Sequence, residues 1–293
     1  MPGRLIEGLA ALADRYDGFV VDQWGVLHDG VRPYPGVGEA LRRLRAAGKR
    51  VVVLSNSGKR AQPNIARMAA MGLPCEAFAG VVTSGEACWH DLERRDDPFY
   101  SEIGRRCLLI SRGGDRSVIE GLDLTPVDRA EAADFLLLTG ADEAERPFAD
   151  YGPVLDAALA RRLPLICANP DIVGVSGGRI TPSPGALAAD YERRGGTVRW
   201  IGKPHAEIYR HCRERLGPVG DDRVVAIGDS LEHDIAGGRA AGFATCLIAA
   251  GIHADALMPA VQAGDAVELD AALAPLERRF QARPDRVLPV FRW

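Results

Sequence analysis

Short apolar runs alternate with segments of helical period along almost the whole chain, and this alternation restricts the fold more than any other property of the sequence. The runs are Phe19–Val21, Arg50–Leu54, Gly80–Val82, Cys107–Ile110, Phe135–Leu138, Leu165–Ala168, Thr197–Trp200, Arg223–Ile227 and Phe243–Ile248. Between them, residues 36–47 place Val37, Leu41 and Leu44 on one helical face and stop at Gly48. Further helices are predicted from Ser57 to Gly72 and at 115–121, 148–162, 185–194, 205–216 and 234–241. Strands that alternate with helices pack as parallel sheets, so the predicted class is α/β with a Rossmann-like parallel-sheet core.

Turn-forming residues mark a division within that pattern. Asn169-Pro170-Asp171, Gly177-Gly178 and Pro182-Ser183-Pro184 crowd together near residue 180. Residues 85–181 are therefore predicted to form a smaller α/β insert, with residues 1–84 and 182–293 making one discontinuous core domain. A chain of 293 residues is long enough for both. The first residues, 1–16, read as a short amphipathic helix without the apolar segment of a signal peptide. The last dozen carry no pattern.

Composition narrows the function. With 47% apolar and 26% charged residues and a net charge of −4, the sequence gives no reason to expect a nucleic-acid or membrane partner. No run approaches the ~18 apolar residues of a membrane span, and a cytoplasmic protein is expected. The six cysteines form no CxxC pair and read as reduced core thiols.

Four polar groups fall just after strand ends: Asp22, Ser55, Lys203 and Asp229, with Asp234 five residues beyond the last. Each has an ordinary explanation alone, as a helix cap, a turn residue or a solvated loop lysine. Their shared placement is the informative feature, because the carboxyl ends of parallel strands lie along one edge where ligands bind. Carboxylates, a lysine and a hydroxyl in one crevice match the needs of phosphoryl transfer. Asp22 and Asp229 offer oxygen ligands to a hard cation such as Mg²⁺, and Lys203 offsets phosphate charge. Ser55 and the amides after the strands, Gly25 among them, can donate to phosphoryl oxygens.

The motifs Asp22-Gln23-Trp24-Gly25-Val26-Leu27 with Gly30, Leu54-Ser55-Asn56-Ser57, Gly202-Lys203-Pro204-His205 and Gly228-Asp229-Ser230-Leu231-Glu232-His233-Asp234 carry a resemblance. The chain resembles the haloacid dehalogenase-like (HAD) hydrolases, most closely the class IIA, NagD-like phosphatases, whose C2-type cap lies between the second and third motifs. Asn169-Pro170-Asp171 resembles the end of that cap. The resemblance implies that Asp22 is a nucleophile forming an aspartyl-phosphate, and that Ser55 and Asn56 bind the phosphate. Lys203 is implied to stabilise both, and Asp229 to ligate Mg²⁺. Asp234 is implied to ligate through water or to orient Lys203, and the backbone carbonyl of Trp24 to supply another metal contact.

Trp24 departs from the family pattern. An Asp usually stands there, protonating the leaving oxygen and then activating water, and an indole N–H can do neither. Three explanations stay open: His28 or Asp29 substitutes, the substrate needs no acid, or catalysis is residual. The sequence thus points to a Mg²⁺-dependent phosphatase or phosphotransferase on a small phosphorylated metabolite. The cap is expected to close over the crevice, with loops 169–178 and 113–116 setting specificity. A phospho-ligand sensor on the same scaffold is the alternative, a dehalogenase a distant third, and a homodimer is suggested by analogy only.

Overall fold

The computed structural model describes residues 4–141, 146–176 and 179–293. Its strands, in chain order, are β1 (Gly18–Asp22), β2 (Arg50–Ser55), β3 (Phe78–Thr83), β4 (Arg106–Ile110), β5 (Thr125–Pro126), β6 (Phe135–Leu138), β7 (Leu165–Cys167), β8 (Val173–Ser176), β9 (Arg179–Pro182), β10 (Val198–Trp200), β11 (Val224–Gly228), β12 (Ala244–Ile248) and β13 (Arg286–Leu288). Two compact units form. The first comprises Met1–Ser55, Ile65–Val82 and Lys203–Trp293, and the second Asn56–Asn64 and Thr83–Gly202.

In the first unit a six-stranded sheet runs β13-β12-β11-β1-β2-β3. β1 pairs in parallel with both β11 and β2, and β12 with both β11 and β13. Central strands of such a sheet are covered on both faces, which is why Phe19–Val21, Val51–Leu54 and Val224–Ile227 are continuous buried apolar runs rather than alternating ones. One covering layer is the cluster of Leu231, Ile235, Leu247, Leu257, Leu269 and Val287. From β1 the chain moves outward through β2 to β3 on one side, whereas β11, β12 and β13 build outward on the other. The strand order therefore reverses between β1 and β11, and connections leave those two carboxyl ends in opposite directions. At the far end of the same strands, Asp17 clamps the sheet by accepting from Lys49 and Arg223, both at 2.9 Å.

The second unit holds a five-stranded sheet, β10-β7-β6-β4-β5, parallel throughout, and the antiparallel hairpin β8-β9. Leu136, Leu138, Tyr151, Leu155, Leu165 and Tyr191 are central to its core. This placement differs from the expectation that residues 182–200 belong with the first sheet. β10 pairs with β7, Val198 and Trp200 pack on the second core, and the Tyr191 hydroxyl donates to the Leu163 carbonyl at 2.6 Å. The segment 56–64 also joins the second unit, where the α-carbon of Gly58 lies against the Thr139 carbonyl with no room for a β-carbon.

Three local expectations are corrected. Residues 115–121 are turns, not a helix: the Asp115 carboxylate accepts from Ser117 N–H at 2.9 Å, and this local bond competes with helical pairing. Among the described first residues the helix is confined to Ala10–Ala13, because Ile6 N–H bonds the Val287 carbonyl and Leu9 N–H the Arg292 carbonyl. The last dozen residues, read as patternless, supply β13 and receive that N-terminal segment. The expected Gly177-Gly178 turn lies outside the described residues.

Candidate active site

Asp22 is the last residue of β1, Ser55 the last of β2, and Asp229 follows β11 directly. The register sets Asp22 opposite Leu54, and Val21 opposite both Val53 and Ile227. The three groups therefore emerge from neighbouring strands at one sheet edge, on either side of the reversal. Lys203 joins them from a separate segment. Its buried Nζ donates to Asp22 Oδ1 at 2.6 Å and to Asp234 Oδ1 at 2.7 Å. Of the expected meeting of positions 22, 55, 203 and 229, the structure brings Asp22, Lys203 and Asp229 together with Asp234, while Ser55 stands at the end of the neighbouring strand.

Local chemistry explains how each acid is aimed. After Asp229 the chain enters a wide π turn, Leu231–Ile235, of a kind often found at functional sites. Ser230 Oγ accepts from His233 N–H at 3.1 Å, while Asp234 Oδ2 accepts from Ser230 N–H at 3.0 Å. This reciprocal cap leaves the other Asp234 oxygen for Lys203. Asp234 is buried against the α-carbon of Gly228, where a β-carbon would overlap the carboxylate. Asp229 is enclosed in the same way by Gly25 and Gly251, and its Oδ2 accepts from Ile252 N–H at 3.1 Å. Gly25 has φ +76°, a conformation open to glycine at little cost.

Electrostatics bear on what the cluster can hold. Burial, with the charges of Asp234 and Asp229 added, outweighs Lys203 and pushes the Asp22 carboxyl well above its usual range. Burial and Asp234 raise Asp229 to about 6. Burial opposes charge on Lys203 as well, but Asp22 and Asp234 together hold its pKa above the ordinary lysine value. Ligand atoms of Asp22, Asp229 and Asp234 all lie within 4.8 Å of one another. Three carboxylates facing one ammonium carry surplus negative charge in a buried place, and an all-oxygen donor set suits a hard divalent cation.

The loop after β1 is built around two rings. His28 is fully buried and accepts from Gly30 N–H through Nδ1 at 2.9 Å, so the neutral ring carries its proton on Nε2. The Gln23 amide nitrogen lies 3.1 Å from that Nε2, and since both are donors a bond forms there only when the Gln23 amide oxygen is turned to the ring N–H. Burial, helped by the Arg67 charge, pulls the imidazole down to about 4. The expectation that His28 acts as an acid therefore meets a buried neutral ring whose Nδ1 accepts within its own loop. Asp29, the other candidate substitute, accepts from Val31 and Arg32 N–H groups, which lower its carboxyl further into the ionised range. Trp24 is 45% exposed; the Arg67 guanidinium lies 5.0 Å from its ring centroid and His28 meets it edge-on at 5.2 Å.

Ser55 is buried at its strand end, and Asn56, the first residue of the second unit, donates to Asp171 Oδ1 at 2.7 Å. The sequence reading missed Gly251-Ile252, although they follow the recognised strand β12 and the strand-end rule applies equally there. It also missed Ser230 as the partner of Asp234. Arg67, an ordinary arginine in the helix Ala61–Ala70, gave no signal.

Comparison with known proteins bears on the family. A family model described as haloacid dehalogenase-like hydrolase matches residues 19–125, and one described as HAD-hydrolase-like matches residues 200–274. Bovine (Bos taurus) chronophin is 31% identical over 276 residues, covering 83% of this chain and 85% of that protein. The structure of a haloacid dehalogenase-like hydrolase from Brucella suis 1330 is similar at TM-score 0.79 and 33% identity, covering 98% of this chain and 100% of that one. Glycerol phosphate phosphatase from Mycobacterium tuberculosis, solved with calcium, shares the fold at TM-score 0.65 and 24% identity, covering 82% and 68%. With its second unit inserted between Ser55 and Lys203, the class IIA arrangement, the chain belongs to the haloacid dehalogenase-like hydrolases.

Proposed function

We propose that the protein is a Mg²⁺-dependent phosphatase acting on a small phosphorylated metabolite through a covalent phosphate on Asp22. The observation that carries this reading is the buried triangle of Asp22, Lys203 and Asp234 beside Asp229. Lys203 holds Oδ1 of Asp22, and the other carboxylate oxygen would attack the substrate phosphorus. Asp234 fixes Lys203 in that pose and is itself fixed by Ser230. Ser55, one strand over, is placed to donate to phosphoryl oxygens. Asp22 and Asp229, with the Trp24 carbonyl and Asp234 directly or through water, are the residues that would hold Mg²⁺, which when bound neutralises phosphoryl charge. The phosphatase name of the mycobacterial relative supports the same class of reaction.

In this reading His28 is a positioning residue that shapes the loop, and no group in the loop replaces the absent acid. A second reading, a phospho-ligand sensor with impaired turnover, is favoured by that same deficit at Trp24. Phosphate release from a panel of phosphorylated metabolites, measured with and without Mg²⁺, separates the two. Metal-dependent turnover of any compound supports the enzyme; saturable binding without turnover supports the sensor.

A further inference from the structure

Tyr209 is fully buried on the helix Ala206–Leu216, with Lys203 just ahead of that helix in the chain. Its hydroxyl donates to the His233 carbonyl at 3.3 Å. His233 belongs to the wide turn Leu231–Ile235, and Asp234, the next residue, accepts from Lys203 at 2.7 Å. One phenol therefore ties the segment that supplies the lysine to the turn that supplies its second carboxylate.

The turn has a physical need for that tie, because its own bonds are shared. Asp234 and Ile235 N–H groups both reach the Ser230 carbonyl, at 2.9 and 3.1 Å, and Ala236 N–H is divided between the Leu231 and His233 carbonyls. Ser230 fastens the entry to the turn through its hydroxyl and its amide. Tyr209 fastens it from outside, on the residue beside Asp234.

Packing leaves the phenol little choice of position. The α-carbon of Gly237 presses on it so closely that a β-carbon would overlap the hydroxyl oxygen, and Phe243 meets the ring edge-on at 6.0 Å. Burial, with the charge of Asp234 added, pushes the phenol well above its ordinary range, so the oxygen keeps its proton and stays a donor.

We infer that Tyr209 is a positioning residue for the reaction at Asp22: through His233 it sets Asp234, and through Asp234 the ammonium of Lys203. The inference rests on the phosphatase reading above and adds the group that keeps Lys203 in place. From Asp234 the bonds run to Lys203 Nζ and on to Asp22 Oδ1 at 2.6 Å. An ammonium held between two carboxylates moves when either one moves, and its value to a developing phosphoryl charge depends on its place. Tyr209 itself meets no reacting atom in this arrangement, so its loss falls on kcat and leaves KM alone.

The test uses Tyr209→Phe, which removes the hydroxyl and keeps the ring, in the full chain with Mg²⁺. Leu44→Ala, a cavity elsewhere in the same core, is the control for general loosening. The first readout is the nitrogen-edited proton NMR signal of the Lys203 ammonium, recognised by its absence in Lys203→Arg. Tyr209→Phe is expected to shift or broaden that signal, whereas Leu44→Ala lowers Tm and leaves it in place. The second readout is turnover of acetyl phosphate, with kcat about tenfold lower in Tyr209→Phe and KM within about twofold of wild type. Gly237→Ala, which crowds the same hydroxyl, is expected to move both readouts in the same direction. An unmoved ammonium signal or a wild-type kcat in folded Tyr209→Phe overturns the inference and leaves the phosphatase reading intact. No turnover of acetyl phosphate by the wild type counts against the phosphatase reading, and the ammonium signal then decides the role of Tyr209 alone.

Discussion

Gly25 lies so close to Asp229 that a β-carbon on it would overlap the carboxylate. The contact joins the loop after β1 to the acid after β11, across the point where the sheet changes direction. It gives Gly25 a more specific duty than a turn: its missing side chain lets Asp229 approach the loop that follows Asp22.

Gly25→Ala is therefore expected to displace Asp229 while the fold persists. The φ of +76° adds about 1–2 kcal/mol of backbone cost for a non-glycine residue. The measurement is a Mg²⁺ titration of activity with circular dichroism as a folding control. Weaker metal dependence and at least about tenfold lower kcat/KM are expected; wild-type values would contradict the packing argument.

Lys203→Met leaves three buried carboxylates without their ammonium. Breaking a buried ion pair from one side costs about 3–5 kcal/mol, so the metal-free protein is expected to melt earlier. A cation then gains more by binding, and the Mg²⁺-induced rise in Tm is expected to exceed that of the wild type even as turnover collapses. An unchanged increment would show that Lys203 and the cation do not share these acids.

Trp24→Asp returns a proton donor to the loop. Positioned acid help is worth ~10²–10⁴ in rate, and the gain should fall on alkyl phosphates, whose leaving groups need it most. Across alkyl, aryl and acyl phosphates the wild type is expected to favour the last two, and the variant to narrow the gap. A flat profile in the wild type would remove the link between Trp24 and leaving-group chemistry.

His28→Ala is expected to lower stability by about 1–3 kcal/mol, since it leaves the Gly30 N–H in the loop without its acceptor. Its effect on turnover should be uniform across the same leaving groups. A loss confined to alkyl phosphates would restore His28 as the substitute acid.

Asp134 accepts from Arg106, by side chain and backbone, and from Arg105 N–H, and these partners lower it to about 2. A depressed carboxyl stabilises the fold fully above its unfolded pKa near 3.8 and loses that contribution as pH falls toward about 2. Acid melts of Asp134→Asn should lack this part of the wild-type decline; coincident curves would contradict it.

Much of this was legible in the sequence because the first sheet is built from local signals. Continuous apolar strands such as Val51–Leu54 declare burial on both faces, and a polar residue at each strand end declares the edge. Non-local pairing left no such trace. β13 and the segment near Leu9 hold each other across nearly the whole chain length, and neither has a pattern of its own. β10 reads as a strand but carries nothing to say which sheet it joins; Tyr191 and Leu163 decide that through packing. The site acids were found by position, whereas Gly228 and Gly251 act through absent atoms, and Arg67 through a ring it happens to cover. Such roles become visible only when the chain is folded.

The central claim, a single cation-and-phosphate site on Asp22, is tested most directly by calorimetric titration with beryllium fluoride in the presence and absence of Mg²⁺. Saturable binding that needs Mg²⁺ and disappears in Asp22→Asn is the expected result. Binding that ignores the metal, or that survives in Asp22→Asn, would contradict it.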